Sequence, residues 1–308
     1  MLLIGENIHI ISNRIKEAFL NRDEEFIKNL ILMQSNMDYI DLNVGPARMN
    51  FSGTLSWLTE LVVKYLPDIG ISFDTTNLEE MISGFKYCNN SSKVFINSTS
   101  NDSERFDSLS NLAFEKNCNI IALTMSKDIG IPKTSEGRLE IAFDMHEKFL
   151  QKDVRAEKIY FDPLVLPLKV EQNQAKETID TIKLIKESFG SDSVKTIVGL
   201  SNISNGCPKD KRTLINKVFA VLCFGAGLDA AIIDASDLEL VRIIDMLKNN
   251  NPKNNLDYLY IRLAQMISNF EEIESVEYNK DNEYEKIIIK TASIILGKEI
   301  YSDSFTQI

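Results

Sequence analysis

The sequence predicts an α/β protein whose eight strand–helix units close into a (β/α)8 barrel, the TIM-barrel architecture. Short apolar runs rich in β-branched residues recur along the 308-residue chain, each is followed by a longer amphipathic segment, and eight such units are present. Strands that are apolar throughout are typical of parallel sheets covered on both faces. An open doubly wound sheet is the alternative, but it does not explain the count of eight, and no G-x-G-x-x-G motif follows the first run.

The eight predicted strands are separated by connections long enough to contain helices. In order, they cover residues 2–5, 39–44, 70–75, 93–98, 119–125, 158–163, 196–201 and 230–235. Between them, apolar residues recur at i, i+3, i+4 and i+7, for example in residues 25–33, 55–66 and 214–223. This spacing predicts helices that pack one apolar face against the sheet.

The region after the eighth predicted strand is longer than a single barrel helix requires. The amide-rich residues 249–255 predict a helix end and a solvent-exposed loop, and a further helical pattern covers residues 256–270. We therefore expect residues 1–308 to form one domain with a partly helical insertion at about 246–285. Packing decoration and a surface for a partner are both open interpretations of that insertion.

Composition restricts the functional class. The net charge of −11 and the lack of an extended basic run argue against a nucleic-acid or anionic-membrane surface. No apolar stretch approaches the about 20 residues that span a bilayer, and no signal peptide is evident, so we expect a cytoplasmic protein. Cys88, Cys118, Cys207 and Cys223 include no C-x-x-C pair, which disfavours a disulfide framework or a structural zinc site.

Acidic and amide side chains collect at the predicted carboxyl ends of the strands, which in this fold meet at one end of the barrel, here called the mouth. They are Glu6, Asn7, Asp41, Asn43, Asp74, Asn77, Asn97, Asp162, Ser201, Asn202 and Asp234. Any one of them is a candidate helix cap, because Asp and Asn commonly cap the helix after a strand. As a set they predict a polar site at the mouth.

The residue types at the mouth limit its chemistry. His9 and His146 are the only histidines, which disfavours zinc catalysis and serine–histidine hydrolysis. Carboxylates and amides suit a neutral, flat heterocycle edged with hydrogen-bond donors and acceptors. Magnesium or calcium held by the same carboxylates is the competing site chemistry.

Short motifs distributed through all eight predicted strands resemble one enzyme family. They are GENIH (5–9), DLNVGPA (41–47), SFDTTN (72–77), FINSTS (95–100), ALTMSKDIGIPK (122–133), YFDPLVLPL (160–168), GLSNIS (199–204), GLDAAIIDASD (227–237) and YSDSF (301–305). The set resembles the methyltetrahydrofolate:corrinoid (iron-sulfur) protein methyltransferases. These enzymes belong to the pterin-binding barrel superfamily, which also contains dihydropteroate synthase and the folate module of cobalamin-dependent methionine synthase.

The resemblance implies a set of folate-binding residues and no protein-bound metal. The implied folate contacts are Asp74, Asn97, Asp162, Asn202, Asn205 and Arg212. Asn202 is also implied to be catalytic, as the hydrogen-bonding partner near N5 of the pterin. Because N5 must gain a proton as its bond to the methyl group breaks, Asp162, or water in its network, is our candidate proton route. The chain departs from the family at His9, where an asparagine is usual, and in its longer loop at residues 205–212.

The implied reaction moves a methyl group between N5 of 5-methyltetrahydrofolate and the cobalt of a corrinoid. A cobalamin-binding D-x-H-x-x-G motif is only approximated at residues 144–149, where Phe149 replaces the glycine, so we expect the corrinoid on a separate partner protein. The family resemblance also implies a homodimer. The alternatives are a dihydropteroate synthase-like enzyme, methyl transfer to homocysteine, for which the chain has no paired zinc-binding cysteines, and a non-catalytic pterin-binding subunit.

Overall fold

The computed structural model describes residues 1–47, 51–190 and 193–307, and it confirms the predicted (β/α)8 barrel. Parallel strands pair in chain order, and the last pairs with the first, so the sheet closes on itself. The strands are β1 (Leu2–His9), β2 (Tyr39–Gly45), β3 (Gly70–Thr75), β4 (Val94–Asn101), β5 (Asn119–Ser126), β6 (Ile159–Asp162), β7 (Lys195–Gly199) and β8 (Ala230–Ile233).

Eleven α-helices cover the barrel in the described part of the chain. They are α1 (Asn13–Asn21), α2 (Glu24–Met33), α3 (Thr54–Tyr65), α4 (Leu78–Phe85), α5 (Ser103–Lys116), α6 (Ser135–Leu150), α7 (Asn173–Phe189), α8 (Lys209–Gly225), α9 (Leu238–Asn249), α10 (Asn255–Ser268) and α11 (Glu283–Ile295). The amphipathic segments at 25–33, 55–66 and 214–223 correspond to α2, α3 and α8, as predicted. None of the helices in the described ranges combines the length and apolar composition that crossing a bilayer requires.

The interior of the barrel is filled by apolar side chains. Three aromatic rings from alternate strands meet edge to face, with ring centroids 4.8 Å apart for Tyr39 and Phe95 and 4.6 Å apart for Phe95 and Tyr160. Such layers from alternate strands are characteristic of the fold. We call the cluster the apolar floor; its fully or largely buried members are Ile4, Phe95, Ile121, Tyr160, Ile197 and Ala230, with Tyr39 packed against them. The polar residues of the mouth follow the floor residues along the strands.

The end of β7 differs from the prediction. The strand was expected to continue to residue 201, but its pairing with β8 stops at Gly199, opposite Ile232. The chain then enters a 3₁₀ turn over Leu200–Ser204, called here the 200–204 turn. Leu200 and Ile203 are both fully buried, so this turn buries its apolar residues while Asn202 is exposed. Burial of the two apolar side chains therefore explains why the strand stops early.

Two helices form a second layer behind α8. After β8 and α9, α10 packs against α8, and α11 packs against α8 and α7. The segment that connects α10 to α11 contains one short helical element, a 3₁₀ turn over Ile273–Ser275. The predicted insertion at 246–285 therefore contains α10 together with the last turn of α9 and the first turn of α11. That this segment is an insertion within a single domain remains a prediction.

The close packing of α8 against α10 depends on a glycine. A Cβ atom built on Gly225 would lie 2.2 Å from the backbone oxygen of Ala264 in α10. Backbone cannot rotate away as a side chain can, so any larger residue at position 225 must push the helices apart.

We expect Gly225→Ala to destabilise the protein by about 1–3 kcal/mol through overpacking, despite the gain in helix propensity of about 1 kcal/mol. The measurement is the free energy of unfolding from urea denaturation. Gly137→Ala in α6 is the control, because there the nearest atom, the side-chain Cβ of Pro132, lies at 3.0 Å, so a much smaller displacement relieves the contact. Equal stability of Gly225→Ala and the unchanged protein would contradict the close approach of α8 and α10.

Candidate functional site

Four acidic side chains lie at the carboxyl ends of the strands, beyond the apolar floor. Burial raises the pKa of Glu6 to about 7 and that of Asp41 to about 6. Burial also raises the pKa of Asp162 to about 7, and it raises that of Asp74 well above its ordinary value. Carboxylic acids held this far from their usual range near neutral pH are typical of functional sites.

The carboxyls on β2 and β3 are linked by amides. Asn97 on β4 donates from Nδ2 to Asp41 Oδ1 at 3.1 Å, and Asn43 donates a short hydrogen bond to Asp74. Asp74 and Asn97 are direct partners in the register of β3 and β4. After burial, the negative charge of Asp41 is the next cause of the raised Asp74 pKa. The structure therefore brings the predicted residues Asp74 and Asn97 together, and Asn97 in turn holds Asp41.

Asp162 ends β6 on the other side of this group. Its Oδ1 accepts a hydrogen bond from the Leu164 backbone N–H at 2.7 Å, and this bond opposes the effect of burial on the pKa. Leu164 has a positive φ of 67°, which an L-residue rarely adopts. The fully buried Arg138 guanidinium lies within 3.4 Å of the Leu164 carbonyl oxygen and also lowers the Asp162 pKa. The strand end and its loop thus hold this carboxyl in place.

Glu6 is a site residue that the predicted set of contacts did not include. β1 runs beyond its predicted end to His9 through a register shift between Gly5 and Ile8. Ser201 Oγ donates a hydrogen bond to Glu6 Oε1 at 2.5 Å. The sequence had placed both residues at the mouth, but their separation of 195 positions left no local signal that they would meet.

The predicted residues of the β7–α8 connection lie together. Asn205 Nδ2 donates to Asn202 Oδ1 at 3.2 Å, and both side chains are exposed. A Cβ atom on Gly199 would lie 2.9 Å from Asn202 Nδ2, so the glycine leaves room for this amide. Arg212, in the first turn of α8, donates from Nε to the Cys207 carbonyl oxygen at 2.9 Å, which fixes its stem against the loop.

A cleft of about 550 Å³ opens beside this loop. Asn205 and Arg212 line it together with Glu6, Ser201 and Asp234. Burial alone would raise the Asp234 pKa, but hydrogen bonds from Asn7 and Ser236 bring it below its ordinary value, so Asp234 is ionised at neutral pH. Asn7 Nδ2 donates to Asp234 Oδ1 at 2.6 Å. The cleft therefore combines a guanidinium, a carboxylate and several amides.

His9 is the residue at which the chain departs from the family pattern, and the structure places it opposite Asn43 on β2. Its Nδ1 is buried and has no hydrogen-bond partner among the described residues. Burial lowers the His9 pKa, while Asp234 raises it. A neutral imidazole with an unused ring nitrogen is thus available at the mouth.

The predicted site residues divide into two groups that face each other across the mouth. Asp74 and Asn97 lie on β3 and β4, whereas Asn202, Asn205 and Arg212 follow β7, on the opposite side of an eight-stranded barrel. Asp162 on β6 lies between the groups in strand order. The strand order therefore places the two groups on opposite sides of the mouth, beyond the apolar floor. We call the space between them the slot; hydrogen-bond donors and acceptors on both of its sides suit a flat molecule.

Not every polar residue predicted at the mouth belongs to this slot. Asn77 is a helix cap, because its Oδ1 accepts from the backbone N–H groups of Glu79 and Glu80 at the start of α4. His146 lies within α6, as expected, and packs against the Phe189 ring. In residues 1–47, 51–190 and 193–307, no group of three or more His, Cys, Asp or Glu side chains is arranged to hold a metal ion.

Comparison with known proteins identifies relatives among characterised enzymes. The chain is 27% identical over 248 residues to the methylcorrinoid:tetrahydrofolate methyltransferase of Eubacterium limosum, covering 79% of this chain and 89% of that protein. It is 27% identical over 283 residues to the methionine synthase of Mycobacterium leprae, where the match covers 85% of this chain but only 22% of that enzyme.

Solved structures show the same architecture. A Yersinia pestis DHPS in complex with a pterine–sulfa conjugate superposes with a TM-score of 0.57, covering 81% of this chain and 94% of that one. At 12% sequence identity this likeness shows the fold alone. The model of the pterin-binding enzyme family matches residues 35–234, which is more than half of the chain and includes all six predicted folate contacts together with Asp41. The protein therefore belongs to the pterin-binding enzyme family.

Proposed function

We propose that this protein transfers a methyl group between N5 of 5-methyltetrahydrofolate and the cobalt of a corrinoid carried by a separate protein. The observation that carries the proposal is the slot of carboxyls and amides on facing walls above the apolar floor. Family membership supports a pterin as the ligand of that slot. The name of the Eubacterium limosum relative describes methyl transfer between a corrinoid and tetrahydrofolate, and that relative is covered over 89% of its length.

The donor set of the slot fits the edge of a pterin ring. An amino-pyrimidinone presents N–H groups beside acceptor atoms of its ring. An ionised carboxylate accepts two N–H bonds at once, whereas a protonated carboxyl accepts one hydrogen bond and donates another. Asp74 and Asp162 offer these acceptors, and the Asn97 amide offers both a donor and an acceptor. In the absence of a pterin, Asp74 already receives a hydrogen bond from Asn43, which keeps one of its oxygens oriented. We assign ring binding to Asp74, Asn97 and Asp162.

The chemistry at N5 requires help from the protein because a tertiary amine is a poor leaving group. As the carbon–nitrogen bond breaks, the nitrogen keeps the electron pair and must gain a proton. Asn202 has no useful pKa, so we assign it the stabilisation of the protonated nitrogen rather than its protonation. Its Oδ1 has two lone pairs and uses one for Asn205, which leaves one to accept from the N5–H group.

The proton itself needs a group that holds one at neutral pH. Asp162 does so, because burial raises its pKa to about 7. Glu6 is a second carboxyl with a pKa of about 7, and its hydrogen-bond partner Ser201 is the neighbour of Asn202 in the 200–204 turn. We assign the proton route to Asp162, as the sequence suggested, and treat Glu6 as the competing source. A positioned proton donor typically contributes ~10²–10⁴-fold to the rate.

The remaining contacts and partners follow from the same proposal. Asn205 and Arg212 line the cleft beside the slot, where they would contact parts of the folate beyond the pterin ring. The corrinoid would supply the methyl-accepting or methyl-donating cobalt and would arrive on its own protein. A homodimeric assembly and a cytoplasmic location are further expectations from the family resemblance.

The direct test mixes the purified protein with 5-methyltetrahydrofolate and Co(I) cobalamin and follows the absorbance of methylcobalamin. We expect transfer that depends on the protein and on folate. Folate binding without transfer to any corrinoid acceptor would contradict the proposed activity and favour a non-catalytic pterin-binding subunit.

Asn202→Ala should lower the rate of methyl transfer about 10²–10³-fold, because it removes a hydrogen-bonding group aimed at charge that develops only during the reaction. Folate affinity should change by less than about tenfold. Single-turnover kinetics at saturating folate, together with the folate Kd, separate the two effects. Asn205→Ala is the matched control and should reduce the rate much less. Equal losses of rate and affinity in Asn202→Ala would show that Asn202 is only a binding contact.

The rate of methyl transfer from folate should fall as the pH rises through about 7, because the carboxyl that supplies the proton then loses it. Because the pKa of this carboxyl is raised, its protonated and active form predominates below pH 7. The decline above that pH, the alkaline limb of the pH–rate profile, reports the loss of the proton. Asp162→Asn should lower the single-turnover rate about 100-fold and remove this limb. Glu6→Gln is the comparison: if the limb disappears there and persists in Asp162→Asn, the proton comes from Glu6 instead.

A further inference from the structure

We propose that residues 299–305, called here the strap, position Asn202 by supporting the buried side of the 200–204 turn. The strap contains the YSDSF motif that the sequence singled out and to which no role has been assigned so far. Tyr301 and Phe305 are its positioning residues. The inference rests on the proposed function, because the task it assigns to the strap is the placement of the Asn202 amide at N5.

The strap is anchored to the loop between β6 and α7. Gln172 Nε2 donates to the backbone oxygens of Ile294 at 2.8 Å and Glu299 at 2.5 Å, and Gln172 Oε1 accepts from the Tyr301 N–H at 2.8 Å. A single side chain thus satisfies three backbone groups at the start of the strap. Lys169 Nζ adds an ion pair with Asp303 Oδ2 at 2.6 Å.

The strap also packs into the buried apolar cluster that includes the 200–204 turn. The Tyr301 hydroxyl donates to Asp303 Oδ1 at 2.9 Å. The Phe305 ring stands 5.8 Å from the Tyr301 ring and is only 3% exposed. Phe305 belongs to the same buried apolar cluster as Ile203 and Cys207. Cys207 is therefore a packing residue of this cluster, consistent with its 2% exposure.

The contacts continue from the strap to the candidate catalytic amide. The Leu168 N–H donates to the Ile203 carbonyl oxygen at 2.9 Å, which ties the 200–204 turn to the loop that Gln172 and the strap hold. The Cys207 N–H donates to the Ser204 oxygen at 3.0 Å, and the Asn205 N–H donates to the Asn202 oxygen at 3.2 Å. Ile203 is fully buried in the apolar cluster that also contains Phe305, while its neighbour Asn202 is exposed. The buried side of the turn is therefore supported by neighbouring residues, while the side that carries Asn202 is open to solvent.

Support of this kind matters more for rate than for affinity. A displacement of about 1 Å in a group that acts on the reacting atom can cost ~10²-fold in rate, because the alignment must hold in the transition state. Folate is also held by Asp74 and Asn97 on the far wall, which the strap does not touch. Loosening the strap should therefore reduce methyl transfer while folate binding persists.

The test compares Phe305→Ala, which empties the buried end of the strap, with Ile300→Ala, which alters a neighbouring side chain that is 90% exposed. Phe305→Ala should lower the single-turnover rate about tenfold and change the folate Kd by no more than about twofold. Amide hydrogen exchange should accelerate in residues 201–207 and remain unchanged in β3 and β4. Ile300→Ala should resemble the unchanged protein in all three measurements. Gln172→Ala, which removes the anchoring hydrogen bonds from outside the core, should reproduce the effect if Phe305→Ala does not fold.

A double-mutant cycle decides whether the strap acts through Asn202. In an Asn202→Ala background, Phe305→Ala should cause no further loss of rate. An undiminished tenfold loss in that background, or unchanged exchange at residues 201–207 in Phe305→Ala and Gln172→Ala, would overturn the proposal. The exchange measurement does not require turnover. A protein that lacks methyl transfer but shows the expected exchange would therefore refute the proposed function and leave the support of the turn established.

Discussion

The structure depends on the burial of several carboxyl groups at one end of a barrel whose interior is otherwise apolar. Removing a carboxylate from water is unfavourable, and the protein responds by keeping these groups protonated to higher pH and by surrounding them with amide and hydroxyl donors such as Asn43, Asn97 and Ser201. A carboxyl whose pKa is raised on folding binds its proton more tightly in the folded state. Its contribution to stability is therefore lost as pH rises from its unfolded pKa through its folded pKa.

That loss links stability to function in this site. For Asp162, with an ordinary pKa of 3.8 and a folded value of about 7, the destabilisation above neutral pH amounts to a few kcal/mol. Other interactions in the barrel must offset this destabilisation. They include the hydrogen bonds of the closed sheet, the packing of the apolar floor and the second layer of helices behind α8. Enzyme active sites commonly contain acids whose pKa is shifted by the protein at a cost in stability.

Local patterns were sufficient to predict the barrel and much of the mouth. The period of apolar residues defines each strand and helix, and the fold then requires Asp74, Asn97 and Asp162 to lie at one end, as they do. Contacts between distant parts of the chain were not predictable in this way. The bond from Ser201 to Glu6, the packing of Gly225 on Ala264 and the bond from the Tyr301 N–H to Gln172 each join segments whose sequences carry no mutual signal. Asn77 shows a different difficulty. It was counted among the polar residues of the mouth but caps α4, because a helix cap and a binding residue look alike in sequence.

The apolar floor has a consequence for the order of events. Its packed rings fill the barrel interior below the polar residues of the mouth. Under the proposed function, the pterin and the corrinoid protein would therefore both approach from the mouth. The pterin would bind before the corrinoid protein and leave after it, which is an ordered sequential mechanism. In such a mechanism an excess of the corrinoid protein inhibits turnover, because it blocks exchange of the pterin.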